Sequence, residues 1–148
     1  MPNLQWSYLG SSRACIKYFQ VALSATTCFL LCYTGFGEYY CTSNWVFSYT
    51  SGLNFAFSVA NFVVFLLYFV DVVSYCAERV YVGAATILFI ANFCTLFYLL
   101  VVESYKGIRF GAIVFLVIFQ CLFYMLELKL LERAVWEKKR LAATQTIF

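Results

Sequence analysis

Four stretches of the chain stay apolar for 20 residues or more, with only scattered polar interruptions: about 15–36, 53–76, 81–102 and 108–131. A helix needs about 20 mostly apolar residues to cross the ~30 Å hydrocarbon core of a bilayer, and each stretch reaches that length. The runs are continuous rather than alternating with period two, which predicts helices and not the strands of a membrane barrel. Pro2, the only proline, lies outside all four, so no span carries a proline kink. The predicted fold class is all-α, an integral membrane four-helix bundle. Residues 1–14 form a short amino-terminal segment and residues 132–148 a helical extension and tail. The first stretch exits through Gly35, Gly37 and Glu38 without a clean small-residue cleavage site, so it reads as a retained span rather than a signal peptide.

Polar residues at membrane depth are costly unless they face protein or water, so their spacing carries the most information. Gln20, Ser24, Thr27 and Thr34 fall along one stripe of the first helix. Asn54, Asn61, Tyr68 and Tyr75 repeat every seven residues in the second. Ala84, Ala91 and Tyr98 do so in the third, beside Asn92 and Thr95, and Gln120, Tyr124 and Glu127 share a face of the fourth. One polar seam per helix suits a compact bundle, or contact with a partner in the membrane, with Phe, Leu and Val turned to lipid. A small pore or transporter lined by Asn61, Asn92, Gln120 and Glu127 is the alternative. Interhelical hydrogen bonds worth roughly 1 kcal/mol each make packing the expected use. The acids Asp71, Glu103 and Glu127 fall near predicted helix ends. There Asp71 is expected to pair with Arg79 or Lys17, and Glu127 with Lys129 or Arg133.

Composition agrees with a lipid environment: 64% of the 148 residues are hydrophobic and the mean hydropathy is +0.84. Charge sets the expected orientation. With the amino terminus inside, the cytoplasmic side holds Arg13, Lys17, Arg79, Lys129, Arg133, Lys138, Lys139 and Arg140, and the other side only Lys106 and Arg109. This bias predicts both termini in the cytoplasm. The loop from Gly37 to Gly52 then lies outside. It is rich in Tyr39, Tyr40, Trp45, Phe47 and Tyr49, and either rests at headgroup depth or offers a partner-binding patch. Beyond the fourth span, Leu128, Leu131 and Val135 keep one apolar face and Arg133 stands four residues before Glu137, so the helix is expected to continue into water.

Seven cysteines, most of them within spans, do not make a disulfide scaffold, although a Cys32 to Cys41 bridge is geometrically conceivable. The chain has no histidine, which excludes His-based catalysis and His-containing zinc sites. No cofactor, metal ion, nucleic acid or enzymatic activity is expected. Cys15 and Cys76, near cytoplasmic ends of spans, are candidates for acylation, with buried small hydrophobe as the plainer use. Thr146, two places before Phe148, fits peptides that add a strand to a PDZ domain.

These features together resemble the small tetraspan MARVEL family, in particular its plasmolipin, MAL and chemokine-like-factor branch, over about residues 13–133. Basic residues precede the first helix. Phe62-Val-Val-Phe-Leu-Leu-Tyr-Phe-Val-Asp71 is similar to the family's second helix and Leu99-Leu-Val-Val-Glu103 to the end of its third. Gly111-Ala-Ile-Val-Phe with Gln120-Cys-Leu-Phe-Tyr124 is similar to the fourth. The resemblance implies a non-enzymatic protein that organises membrane domains, vesicle traffic or junctions by association with lipids and membrane-protein partners, at the plasma membrane or on secretory and endosomal vesicles. The alternative it leaves is a stoichiometric auxiliary subunit of a channel, receptor or junction complex.

Overall fold

The computed structural model describes residues 10–33, 44–70, 72, 74–102 and 107–145. They form four helices: α1 (Ser12–Cys32), α2 (Trp45–Phe69), α3 (Tyr75–Val102) and α4 (Ile108–Gln145). All four are long and apolar enough to cross a membrane. They run up, down, up and down, with α1 against α2, α3 against α4, and α1 closing on α4. At 1.5 Å per residue, α1 spans about 31 Å, while the 38 residues of α4 reach about 57 Å and project well past the bundle. The end from which α4 projects is called here the tail end.

Local signals fix where the helices start. Ser11 caps α1 by accepting from Ala14 N at 3.3 Å, and Asn44 caps α2 by accepting from Val46 N at 3.2 Å. The Asn44 cap begins α2 eight residues earlier than the apolar run suggests. Trp45, Phe47 and Tyr49, assigned from sequence to an external loop, are therefore helical, and Phe47 is buried against Phe110. Likewise α3 begins at Tyr75, so Tyr75 opens α3 instead of ending the heptad series of α2.

Each helix buries a stripe in a three-four rhythm: Lys17, Gln20, Ser24, Thr27 and Leu31 in α1; Phe47, Thr50, Asn54 and Asn61 in α2; Val82, Ala85, Phe89, Asn92, Leu96 and Leu99 in α3; Ile113, Val117, Gln120, Tyr124, Glu127 and Leu131 in α4. This rhythm keeps one seam facing inward along the whole helix. The stripes differ in chemistry: those of α1 and α2 are mostly polar and those of α3 and α4 mostly apolar. Small side chains let α1 and α2 approach closely, with Cys28 Sγ donating to Ser51 O at 3.5 Å. The α2–α3 contact is the least extensive, and Phe57, Tyr81 and Phe89 fill it, with ring centroids 5.5–5.6 Å apart. Gly52, Gly83 and Gly111 have open space where a Cβ would stand, so none of them makes a close helix crossing.

The outward faces carry large apolar side chains, among them Phe29, Phe55, Phe62, Ile87, Phe97 and Phe115. Exposed Tyr33 and Trp45 stand at the end away from the tail, and exposed Tyr18, Tyr75 and Trp136 stand toward the tail end. Ala84, Ala91 and Tyr98, expected to face the bundle, point outward instead. The α3 helix turns Val82, Ala85, Phe89 and Asn92 inward because the aromatic seam with α2 and α4 sets its rotation.

Candidate functional site

The bundle interior holds a ladder of polar side chains that runs from the tail end to the layer of Thr50 and Asn92, beyond which Leu31, Phe47, Leu96, Leu99 and Phe110 pack an apolar core. At the tail end, Arg13 of α1 pairs with Glu78 of α3 at 3.2 Å, and the Tyr68 hydroxyl of α2 donates to the same carboxylate. The guanidinium also lies over the rings of Tyr68 and Tyr75, at 5.6 and 5.3 Å. One turn further in, Lys17 Nζ meets Glu127 Oε1 at 2.6 Å, with the two side chains 1% and 2% exposed. Lys17 also donates to Asn61 Oδ1 at 3.1 Å and lies over the Tyr81 ring at 5.2 Å. Gln20 Nε2 donates to Glu127 Oε2 at 2.8 Å. Asn61 accepts from Tyr81 OH at 3.1 Å and donates to Tyr124 OH at 2.7 Å.

Deeper still, Gln120 Nε2 donates to Ser24 Oγ at 3.0 Å and to Asn54 Oδ1 at 2.6 Å, while Asn54 Nδ2 donates to Thr50 O at 2.8 Å. Thr50 Oγ1 then reaches both Val46 O at 2.8 Å and Asn92 Oδ1 at 2.7 Å. A hydroxyl has one proton for two acceptors. Turning the Asn92 amide end for end lets Nδ2 donate to Thr50 Oγ1 and satisfies a nitrogen otherwise without a partner. Among the described residues two buried acceptors, Gln20 Oε1 and Gln120 Oε1, have no donor.

Arg13, Lys17, Glu78 and Glu127 sum to zero charge, which is how four ionisable groups are accommodated together in an apolar bundle. A buried carboxylate held between an ammonium and an amide is a structural tie. Among the described residues no group of three or more Cys, Asp or Glu side chains is placed to hold a metal ion.

The ladder brings together Gln20, Ser24, Asn61, Asn92, Gln120 and Tyr124 from the sequence seam, while Tyr68 sits at its tail-end edge. Thr27 is buried, but its hydroxyl donates back to Leu23 O at 2.8 Å and not across helices. The expected ion pairs are redistributed. Glu127 pairs with Lys17, on α1, and not with Lys129 or Arg133, because it lies on the inward stripe of α4 and they do not. Arg79 pairs with Glu132 at 3.5 Å, both about half exposed, and Arg133 is exposed. Asp71, Glu103, Thr34, Cys41, Thr146 and Phe148 lie outside the described residues.

Sequence reasoning missed Arg13, Lys17, Thr50, Glu78 and Tyr81 as members of the ladder. The signal was available: Lys17 stands three residues before Gln20, Thr50 four before Asn54, and Glu78 four before Val82, each extending a stripe by one turn. Cys15 and Cys76 are free and exposed near the tail end, and Cys121 is buried. Cys32 is disulfide-bonded and accepts from Ser51 Oγ at 3.1 Å.

The described residues are all-helical, and four long apolar helices around a partly polar interior suggest the class of multi-pass membrane proteins. No family model, curated protein or solved structure matches the chain.

Proposed function

We propose that this is a non-enzymatic four-span membrane protein with both termini in the cytoplasm, which organises membrane domains, traffic or junctions by lateral association with lipids and membrane-protein partners. One observation carries the reading: the polar side chains turn inward and bond one another, leaving an outer surface of Phe, Val, Leu and Ile for lipid or partner helices. Aromatic residues at the two ends support insertion, since Trp and Tyr settle at the two interfaces. The distribution of Lys and Arg, seven to two once the buried Lys17 is set aside, supports the orientation. So does the disulfide-bonded Cys32, at the end away from the tail, because disulfides persist on the oxidising side of a membrane. The reading is that of the MARVEL resemblance, with self-association as a further mode.

Crosslinking in native membranes, purification in mild detergent and mass spectrometry test it. A diffuse set of lipids and membrane proteins is expected. One partner at fixed ratio would replace the organiser by an auxiliary subunit.

A small pore is the second reading, favoured by the placement of Asn61, Asn92, Gln120 and Glu127 in one ladder with two acceptors lacking donors. It expects ion flux in proteoliposomes of the purified protein, abolished by Asn92→Leu at unchanged thermal stability. Flux that is absent, or equal in wild type and variant, removes this reading.

A further inference from the structure

A groove of about 700 Å³ opens at the tail end between the first turn of α3 and the projecting part of α4. Its walls are apolar, built from Tyr75, Cys76, Val135 and Leu141 together with Ala134 and Ala142. Its rim carries Arg79, Lys138 and Lys139 against a single acid, Glu137. Lys138 Nζ stands 5.4 Å over the Tyr75 ring, which places its charge beside the apolar wall. Among the described residues Arg79 pairs with Glu132 through an exposed contact of 3.5 Å, which is weak, and a five-donor guanidinium can serve a second anion beside it.

We propose that this groove binds one anionic phospholipid, its phosphate between Arg79, Lys138 and Lys139 and its glycerol and upper chain against the apolar wall. The inference rests on the membrane reading above, which sets the depth. The fourth apolar run ends near residue 131, so the groove, whose first α4 residue is Ala134, begins about 5 Å beyond the hydrocarbon boundary, level with the cytoplasmic headgroups. Lipid is the solvent at that depth, so an amphipathic cavity there fills with the lipid whose charge complements it. A zwitterionic lipid brings no net negative charge to a rim in which three cations outnumber Glu137 and Glu132, and a soluble phosphate has nothing to offer the apolar wall. Basic pockets between spans on the cytoplasmic side suit such headgroups.

The test is native mass spectrometry of the full chain in mild detergent, titrated with phosphatidylcholine, phosphatidylserine or phosphatidylinositol bisphosphate. One anionic lipid per chain is expected to be retained, and phosphatidylcholine to be lost. Replacing Arg79, Lys138 and Lys139 together by Ala is expected to weaken retention about a hundredfold, at roughly fivefold per basic residue. Removing equal charge from the opposite face, at Lys129, Arg133 and Arg140, should change it less than about threefold. Ala134→Phe narrows the groove without touching charge and should also expel the lipid. All these residues lie outside the buried ladder, and unchanged thermal unfolding checks that the variants fold. Equal losses from both charge sets, no effect of Ala134→Phe, equal retention of phosphatidylcholine, or binding of free inositol trisphosphate as tight as the lipid would each overturn the site. Extraction by alkaline carbonate separates the two levels: a protein that stays in the membrane but retains no lipid defeats this inference alone, and one that is extracted defeats the membrane reading itself.

Discussion

Lys17→Met is expected to destabilise the bundle by about 3 kcal/mol, and Glu127→Gln by a similar amount, since either leaves its partner as an uncompensated charge in an apolar interior. The double variant Lys17→Met/Glu127→Gln is expected to return to within about 1 kcal/mol of wild type, because the buried charges disappear together. Gln is the better replacement at position 127. Gln20 Nε2 donates to Glu127 Oε2 at 2.8 Å, and an amide oxygen keeps that acceptor where Leu would leave the donor orphaned. Met at position 17 follows the path of the lysine stem, and Asn61 Oδ1 still accepts from Tyr81 OH at 3.1 Å. Midpoints of denaturation in one detergent, compared through a double-mutant cycle, measure the coupling. Single losses below about 1 kcal/mol that simply add in the double variant would show that the pair does not hold α1 to α4.

Why sequence misplaced Lys17 follows from the same physics. Counting charges for topology treats every Lys and Arg near a span boundary as a solvated end, and that rule sent Lys17 to the water side. A lysine one turn inside a span can equally turn to the interior if another helix supplies a carboxylate, and Glu127 stands 110 residues away in sequence. Nothing local encodes such a partner. The four helices were legible because continuous apolar length is a property of each segment alone. The polar seams of α1, α2 and α4 were legible because polar residues in an apolar helix have only the interior to face.

The seam of α3 was not legible for the converse reason. Its stripe is mostly apolar, and in lipid an apolar residue is satisfied on either side, so Ala84, Ala91 and Tyr98 offered no less plausible a seam than Val82, Ala85 and Phe89. What decides the rotation is shape: Phe89 stacks on Tyr124 at 4.9 Å and meets Phe57 at 5.5 Å, across a gap that small residues would leave empty. Asn92, placed on this inward face by the same rotation, meets Thr50. The beginning of α2 shows a third limit. Thr50 and Phe47 were assigned to a loop because Ser, Thr and Tyr dilute the apolar run, and the Asn44 cap outweighs that dilution.

Tyr124 joins the two kinds of packing, polar on its hydroxyl and aromatic on its ring, so its removal is expected to have the second large effect. The side chain is fully buried, accepts from Asn61 Nδ2 at 2.7 Å, stacks on Phe89, and meets Phe57 edge to face at 6.1 Å. In a soluble protein, truncating it would cost both apolar transfer and a cavity. In a bilayer the transfer term largely vanishes, because lipid tails are as apolar as the core. The cavity term remains: roughly 100 Å³ at about 24 cal/mol per Å³ gives about 2.4 kcal/mol. Orphaning the Asn61 amide adds about 1 kcal/mol, so Tyr124→Ala should cost about 3 kcal/mol in all. Tyr124→Phe keeps the ring and removes only the hydroxyl, for a cost of about 1 kcal/mol. Detergent denaturation of both variants, with benzene as a probe ligand, separates the two contributions. Benzene should raise the stability of Tyr124→Ala by refilling the ring site and leave Tyr124→Phe unchanged, as expected of an apolar cavity. Equal losses in the two variants would mean that the hydroxyl alone holds this layer, and that the aromatic cluster between α2, α3 and α4 merely fills space.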